Sequence, residues 1–550
     1  MSNPAREILP RRRDAVALAV VLCLTLLAMG RLCANDFTWW DDNDTVHQNP
    51  WLLPPTWHTL MHYATAPAGG LYIPLTYWLW AAVALTAHVP PDASGICLNP
   101  FQFHAINLLC HCVAVAFVYR ILCLLGIASL PAALGAMLFG VHPLQIEAVA
   151  WVSGLKDVLS GMLAIIALHE YVRFARARTL GRPGRLQYGS AAAFYLLAML
   201  AKPSCMALPL SALALDCWGI GRRWSAAWKT AASLLVVGLP LIVVSRYVQI
   251  TAGIVPPALW QRPFIALDAL YFYLWKLIWP VNLCIDYGRT PAAVLERGWC
   301  YWDWIVPVAA FVSLAFVRTR GRRLPLAGSA LFVFGLLPVL GFTPAIFQQF
   351  STTADHYTYF AMLGAAIVLA TVIMRVGAQR AQWPAAAVMI PLIFLSIRQG
   401  SFWQNSSTLF AHVIDVNPRS VMAYCNLAKA REQDGDLAGA VAAAQQGVRE
   451  HPEYAPGWHF LAGALFQQNR TDAALDALRH AIGLQQSSGR RDEYWQRDNA
   501  LAGRILFQRG AFAEAVPYLR AAADAQPSDD RVQQALRIAI NRANATANRP

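Results

Sequence analysis

Residues 15–34, AVALAVVLCLTLLAMGRLCA, are followed four residues later by Trp39-Trp40-Asp41-Asp42-Asn43-Asp44. A predominantly apolar stretch of about 20 residues is enough to cross a bilayer core as a helix. Carboxylates beside two aromatics directly after such a span are unusual. An ionised group costs roughly 2.5–3.5 kcal/mol at the membrane centre and less toward the interface, so such groups tend to be kept for a use. Alone, the cluster also fits an acidic loop that ends a helix in water; the remainder of the chain decides between the two.

The composition excludes a soluble globular protein. Of 550 residues, 57% are hydrophobic and 14% charged, with a mean hydropathy of +0.40. Long apolar runs and 20 tryptophans point to a multi-pass membrane protein with an aromatic interface belt. The net charge of +13 does not indicate nucleic acid, because the arginines fall in short clusters between apolar runs: 11–13, 173–185, 222–223, 318–323 and 375–380. That is the positive-inside pattern, and it makes those loops cytoplasmic. The N-terminal run reads as a signal anchor, since no small-residue cleavage site follows it.

With the N-terminus inside, spans are expected at 15–34, 103–125, 131–141, 158–174, 190–200, 204–218, 226–248, 304–317, 324–342, 359–375 and 383–398. Eleven spans keep every arginine cluster cytoplasmic and place the C-terminal part outside. Residues 71–88, interrupted by Pro74, read as an external interfacial helix. Residues 262–279, which carry Asp268 and Lys276, read as an external interfacial or re-entrant helix. Most of the eleven cysteines lie in apolar segments and act as small hydrophobes. Cys284 and Cys300 would both be outside and able to pair.

The domains divide at about residue 400, into a membrane domain of residues 1–400 and a helical, Ala-rich domain of residues 401–550. Pro418 and Pro452 are 34 residues apart, the tetratricopeptide period. One repeat presents Tyr424, Leu427, Ala428, Gly435, Ala440 and Pro452 at the signature positions. A second presents Trp458, Leu461, Ala462, Ala474, Leu478 and Ala481. After an insertion at 487–495, a third presents Gly503, Gly510, Ala515, Leu519, Ala522 and Pro527, and residues 531–543 form a capping helix. The fold class is therefore all-α: a polytopic membrane bundle followed by an α-solenoid.

The unusual polar residues of the membrane half all fall on the external side: Asp41, Asp42, His142, Glu147, Lys156, Asp157, Lys202, Asp355, His356 and Tyr357. Chance would spread them over both faces. A shared cavity near the bilayer surface suits sugar transfer from a lipid phosphate. A carboxylate, Asp41 or Asp42, takes the proton of the incoming hydroxyl. Lys156, Lys202 and His356 stabilise the departing phosphate beside Asp355. His142, Glu147, Asp157 and Tyr357 support them, Glu147 and Asp157 as pair partners for the lysines. No nucleotide loop, metal-ligand spacing or nucleophile elbow competes, so no metal or cofactor is expected.

Asp41-Asp42 with Asn49-Pro50, then Tyr72-Ile73-Pro74-Leu75-Thr76, Phe103-His104-Ala105-Ile106-Asn107-Leu108, His142-Pro143-Leu144-Gln145-Ile146-Glu147 through Trp151, Lys156-Asp157, Ala201-Lys202-Pro203-Ser204 and Ala354-Asp355-His356-Tyr357 follow in a fixed order. This ordered set resembles the transmembrane and tetratricopeptide-repeat O-mannosyltransferases, GT-C glycosyltransferases related to the protein O-mannosyltransferases. The resemblance covers nearly the whole chain. It implies an eleven-span GT-C fold, a catalytic acid in the first external loop and a polyprenyl-phosphate sugar as donor. It departs from the family at His356, where arginine is usual, which puts the donor's sugar or lipid in question. The short loops and three repeats imply a bacterial member in the inner membrane. The carrier would then be undecaprenyl phosphate rather than dolichol, with the repeats in the periplasm holding a protein or glycan acceptor. Two other readings are an O-antigen ligase or polymerase-like enzyme and a non-enzymatic membrane-anchored repeat scaffold. The first expects basic residues in a late external loop, and the second needs a single anchor.

Overall fold

The computed structural model describes residues 12–92, 95–249, 256–317, 323–489, 491 and 494–547, so Arg11 and the arginines of 318–322 lie outside the described residues. These residues are helical, with no strand among them. The chain forms two compact units, Met1–Asn405 and Ser406–Pro550.

In the first unit α1 (Arg12–Met29) continues as a 3-10 turn to Ala34. The first loop holds two helices: α2 (Trp57–Thr65), closed at its start by a Thr56–Thr59 capping box, and α3 (Pro74–Ala87), which begins at Pro74. Proline suits a first helical position because its missing N–H would have no partner there. The expected interfacial helix therefore starts at Pro74 rather than being interrupted by it, and α2 was not anticipated. Next come α4 (Pro100–Leu124), α5 (Ser129–Val141), the short α6 (Ile146–Ala150), α7 (Leu155–Thr179), α8 (Arg185–Ala201), α9 (Leu208–Ala214) and α10 (Trp224–Val248). The segment after α10 contributes α11 (Arg262–Ile278), α12 (Pro291–Arg297) and α13 (Cys300–Asp303). The unit closes with α14 (Ile305–Ala315), α15 (Leu324–Leu336), α16 (Met362–Val376) and α17 (Ala378–Phe402).

Each of the eleven segments read as a span coincides with a helix. Six helices among the described residues are long and apolar enough to cross a membrane, or seven if the pair Ser129–Val141 and Pro143–Ala150, bent by 48°, is one span. The others are shorter: α8, and the apolar helices Cys300–Ala315, Leu324–Val339 and Met362–Val376. Small residues let these pack closely. A Cβ on Gly328 of α15 would stand 2.8 Å from the Gly364 carbonyl oxygen of α16, so glycine is required at that crossing.

The second unit starts with α18 (Ser406–Val416), followed by the pairs α19 (Val421–Gln433)/α20 (Leu437–Glu450), α21 (Ala455–Gln467)/α22 (Thr471–Ser488) and α23 (Trp495–Gln508)/α24 (Phe512–Ala525), and ends at α25 (Asp530–Ala547). From α19 to α21 the start advances from 421 to 455, or 34 residues; from α21 to α23 it advances from 455 to 495, or 40, which accommodates the insertion. Tyr424, Leu427, Ala428, Ala440, Leu461, Ala462, Ala474 and Leu478 are buried, as expected of residues that let paired helices approach. Cys284 and Cys300 do not pair: both are free thiols, and Cys284 Sγ donates instead to the Asp286 carbonyl at 3.2 Å.

Candidate functional site

The two adjacent aspartates of the first loop have different surroundings. Asp42 is fully buried, and both its oxygens are occupied. Oδ1 accepts from the Ser153 amide at 2.8 Å and the Ser153 hydroxyl at 2.6 Å. Oδ2 accepts from the Thr38 amide at 2.9 Å and the Thr38 hydroxyl at 3.0 Å. Burial pushes its carboxyl up to about 6, although all four hydrogen bonds pull the other way. Asp41 is half exposed, and its φ of +65° is uncommon for a residue with a Cβ. The Thr45 amide and hydroxyl hold its carbonyl at 2.9 and 2.7 Å, and the Thr45 hydroxyl also bonds the Ser153 hydroxyl at 2.6 Å. Asp42 thus anchors the loop, and the same anchor turns the Asp41 side chain outward. Backbone strain of this kind persists where the surroundings over-determine it, and it concentrates at functional sites.

The anchor comes from one short stretch, residues 142–157. His142 uses both ring nitrogens on its neighbours: Nδ1 accepts from the Leu144 amide at 3.2 Å and Nε2 donates to the Leu277 carbonyl at 3.1 Å. Its support is therefore structural, bracing the turn before α6 against α11. Trp151 Nε1 donates to the Trp40 carbonyl at 2.6 Å. At the start of α7, Lys156 Nζ stands 3.7 Å from Asp41 Oδ2 and 4.2 Å from the Trp151 ring centre. Asp157 faces the other way and accepts from Lys202 Nζ at 2.6 Å. Lys202 sits where Pro203 ends α8. Burial pulls its ammonium down from the ordinary lysine value, and the Asp157 charge opposes that shift.

Glu147, on α6, holds the third segment. Its Oε2 accepts from the backbone amides of Asp355 at 2.9 Å and His356 at 3.3 Å, and its Oε1 pairs with His356 Nδ1 at 2.6 Å. The lysine pairing expected for Glu147 is thus replaced by this grip on the 355–356 turn. Asp355 is buried, and its Oδ1 accepts from the Tyr287 hydroxyl at 2.7 Å. Burial, with the nearby Glu147 charge second, pushes its carboxyl well above the usual range. Tyr273 of α11 fixes the same turn, accepting from the Ala354 amide at 3.1 Å and donating to its carbonyl at 3.2 Å.

These contacts form a continuous series. Asp41 meets Lys156, Lys156 lies over Trp151, and Trp151 packs on His356 with ring centres 5.6 Å apart. His356 meets Tyr357 at 4.5 Å, Lys202 lies 5.8 Å from the Tyr357 ring, and Lys202 pairs with Asp157. Three loops distant in sequence thus converge. Thr38, Thr45, Ser153 and Tyr287 were not anticipated, because neutral hydrogen-bonding residues carry no motif. The only available signal was Ser153 lying between Trp151 and Lys156 in a stretch already singled out. Among the described residues no group of three or more His, Cys, Asp or Glu is placed to hold a metal ion.

Next to this cluster runs an apolar groove of about 650 Å³ between α5, α11 and α14–α17, lined by Leu138, Leu274, Phe311, Phe332, Leu369 and Val388 among others. Leu270, Leu274 and Leu277 of α11 face the groove, and Tyr273 on another side of the same helix holds the 354 turn.

No protein-family model matches the chain. The resemblance to the O-mannosyltransferases extends along most of its length. The chain is 22% identical to Protein O-mannosyl-transferase TMTC1 of Homo sapiens over 424 residues, covering 65% of this chain and 46% of that one. It is 23% identical to Protein O-mannosyl-transferase Tmtc3 of Drosophila melanogaster over 436 residues, covering 64% and 46%. It is 22% identical to Protein O-mannosyl-transferase F38B6.6 of Caenorhabditis elegans over 356 residues, covering 60% and 48%. The chain spans about half the length of these curated relatives. Among solved structures, MamA is 20% identical with a TM-score of 0.22, over 24% of this chain and 75% of that one.

Proposed function

We propose that this relative of the protein O-mannosyl-transferases is a GT-C glycosyltransferase that moves a mannose-like sugar from a polyprenyl phosphate to a protein or cell-envelope hydroxyl. Asp41, not Asp42, is the general base. The acceptor oxygen bonds to the anomeric carbon as the bond from that carbon to the phosphate oxygen breaks. The acceptor proton passes to the Asp41 carboxylate, and the configuration inverts. The observation that carries this reading is the contrast within the pair: one carboxylate saturated by four hydrogen bonds, the other half exposed with a lysine at 3.7 Å. A proton acceptor needs a free lone pair within reach of the substrate.

Lys156, Lys202 and His356 would receive the negative charge of the departing phosphate, as fixed cations serve developing charge elsewhere. Asp355 acts at one remove, by shaping the turn that carries His356. The apolar groove beside α11 suits a polyprenyl tail, since no charge but Arg380 lines it. The eleven-span count, an N-terminus inside, the site and repeats outside, and a bacterial inner membrane complete the proposal. The repeat unit holds the acceptor.

The test compares two substitutions at matched abundance in membranes supplied with radiolabelled polyprenyl-phosphate mannose. Asp41→Asn should lower turnover by about 100-fold or more, the range for losing general-base catalysis, with donor binding retained. Asp42→Asn should act through the loop, weakening donor binding and turnover together. Full activity in Asp41→Asn removes the assignment.

A further inference from the structure

Between the start of α7, the turn after α8 and the 355–360 segment lies a cavity of about 20 Å³, lined by Asp157, Ser204, Cys205, His356, Tyr357 and Tyr359 among others. That is room for one water molecule, or for one hydroxyl group. Its walls carry hydrogen-bonding capacity that the protein does not use. Asp157 is buried, and while Oδ1 accepts from Lys202, Oδ2 has no partner among the described residues. His356 gives Nδ1 to Glu147, and among the described residues no bond engages its other ring nitrogen, Nε2. The Tyr357 hydroxyl is likewise without a hydrogen bond among the described residues. A buried polar atom left unmatched costs on the order of 1–3 kcal/mol, more when charged, so the bare Asp157 Oδ2 implies an occupant.

We propose that the cavity is a subsite for one hydroxyl group of the transferred sugar, with Asp157 as the residue that selects among sugars. The hydroxyl donates to Asp157 Oδ2, and its oxygen accepts from the Tyr357 hydroxyl or from His356 Nε2. The chemistry of the walls favours this occupant. An anion would meet the Asp157 carboxylate, and a cation would leave the tyrosine hydroxyl without an acceptor. A hydroxyl is donor and acceptor at once and has the right size. The inference rests on the sugar-transfer reading above and adds to it the place where the sugar is read. Lys202 is then shared: it orients Asp157 by their 2.6 Å contact while lying near the phosphate.

The test pairs enzyme variants with donors lacking one hydroxyl. Full-length protein in lipid nanodiscs is given radiolabelled polyprenyl-phosphate mannose and its 2-, 3-, 4- and 6-deoxy forms, and binding and slow donor hydrolysis are measured. Asp157→Asn keeps an oxygen for Lys202 but turns the other position into a donor. Tyr357→Phe removes only the unbonded hydroxyl, so it should fold normally. One deoxy donor should be handled about 10–100-fold worse than the full sugar by the wild type. Both variants should handle the full sugar that much worse and show little further loss with that one deoxy donor. If every deoxy donor loses the same factor in variants and wild type, the cavity holds only water and the proposal is wrong. Absence of any binding of the full donor by the wild type overturns the transfer reading and this subsite with it.

Discussion

The two units bury polar groups in different ways. In Ser406–Pro550 the buried polar residues are few and scattered: Ser406, Ser420, Gln485, Asp498 and Asn499. Ser420 caps α19, the Asn499 amide donates to the Trp495 carbonyl one turn back, and Asp498 meets His459 at 2.5 Å on neighbouring α21. These three serve their own helix or the preceding helix pair. In Met1–Asn405, by contrast, Glu147, Lys156, Asp157, Lys202 and His356 are buried and linked through ion pairs and ring contacts, and Asp42 and Asp355 are buried in the same loops. They join segments 45 to 209 residues apart. Packing does not require so many charges together, because desolvating each costs several kcal/mol. The first pattern fits a solenoid, and the second fits the proposed site.

Glu147 is the sharpest place to break that contrast. Its carboxylate accepts three hydrogen bonds from the 355–356 turn. Glu147→Gln puts an N–H where an acceptor is needed, against either a backbone amide or the imidazole. Transfer should fall by about 100-fold, a loss of about 3 kcal/mol, the order expected when a buried charged hydrogen bond is broken. Turnover at matched abundance measures it. Activity within twofold of the wild type would make the polar cluster of the first unit as structural as that of the second.

A smaller effect follows from Asp42. Its carboxyl is raised by burial to about 6, from 3.8. As pH falls through about 6 it takes up a proton, one of its four donors loses an acceptor, and the loop that presents Asp41 loosens. Turnover should fall by about tenfold per pH unit below that point. Stability has the opposite sign. The folded state binds this proton more tightly than the unfolded chain, so the Asp42 contribution rises as pH falls from about 6 toward 4. Turnover and thermal unfolding midpoints, measured together from pH 5 to 8, separate the two. If both fall in parallel, general acid unfolding is responsible and Asp42 is not.

What could be read in the sequence was what has a period or a length. The apolar runs are all helices, and the 34-residue spacing recurs between α19 and α21 because each repeat must pack on the next. Short amphipathic helices such as α2 and α18 lack the length to announce themselves. The residues of the three converging loops could be listed, since buried charge is conspicuous, but not assigned. Asp41 and Asp42 differ by one position, and only the left-handed backbone at Asp41 and the four bonds on Asp42 tell them apart. Ser153 and Thr38 were invisible because serine and threonine occur everywhere. Asp355 looked available to the donor phosphate and His142 as its support, yet both have their side chains engaged by protein groups, which sequence does not register.

The smallest effect expected on the donor side comes from removing the repeats, and the position of the cut matters. Residue 399 looks like the natural end of the last span, but α17 runs to Phe402, and Trp403 is buried behind it. The Gln404 carbonyl accepts from the Asp36 amide at 2.9 Å, five residues before Asp41, and Gln399 donates to the Leu283 carbonyl at 3.0 Å. The end of α17 is therefore part of the frame that holds the first loop. A chain ending after Asn405 keeps that frame, so its donor hydrolysis should stay within about twofold of the full chain, while transfer to the natural acceptor falls, since the converging acids and bases lie in the first unit. A chain ending after Gln399 loses the Asp36 contact and should hydrolyse donor several-fold more slowly. Both are measured with the radiolabelled donor on membrane-inserted protein. Loss of donor hydrolysis in the longer chain, still inserted and folded, would make the repeats part of the reacting site and end the division between the two units.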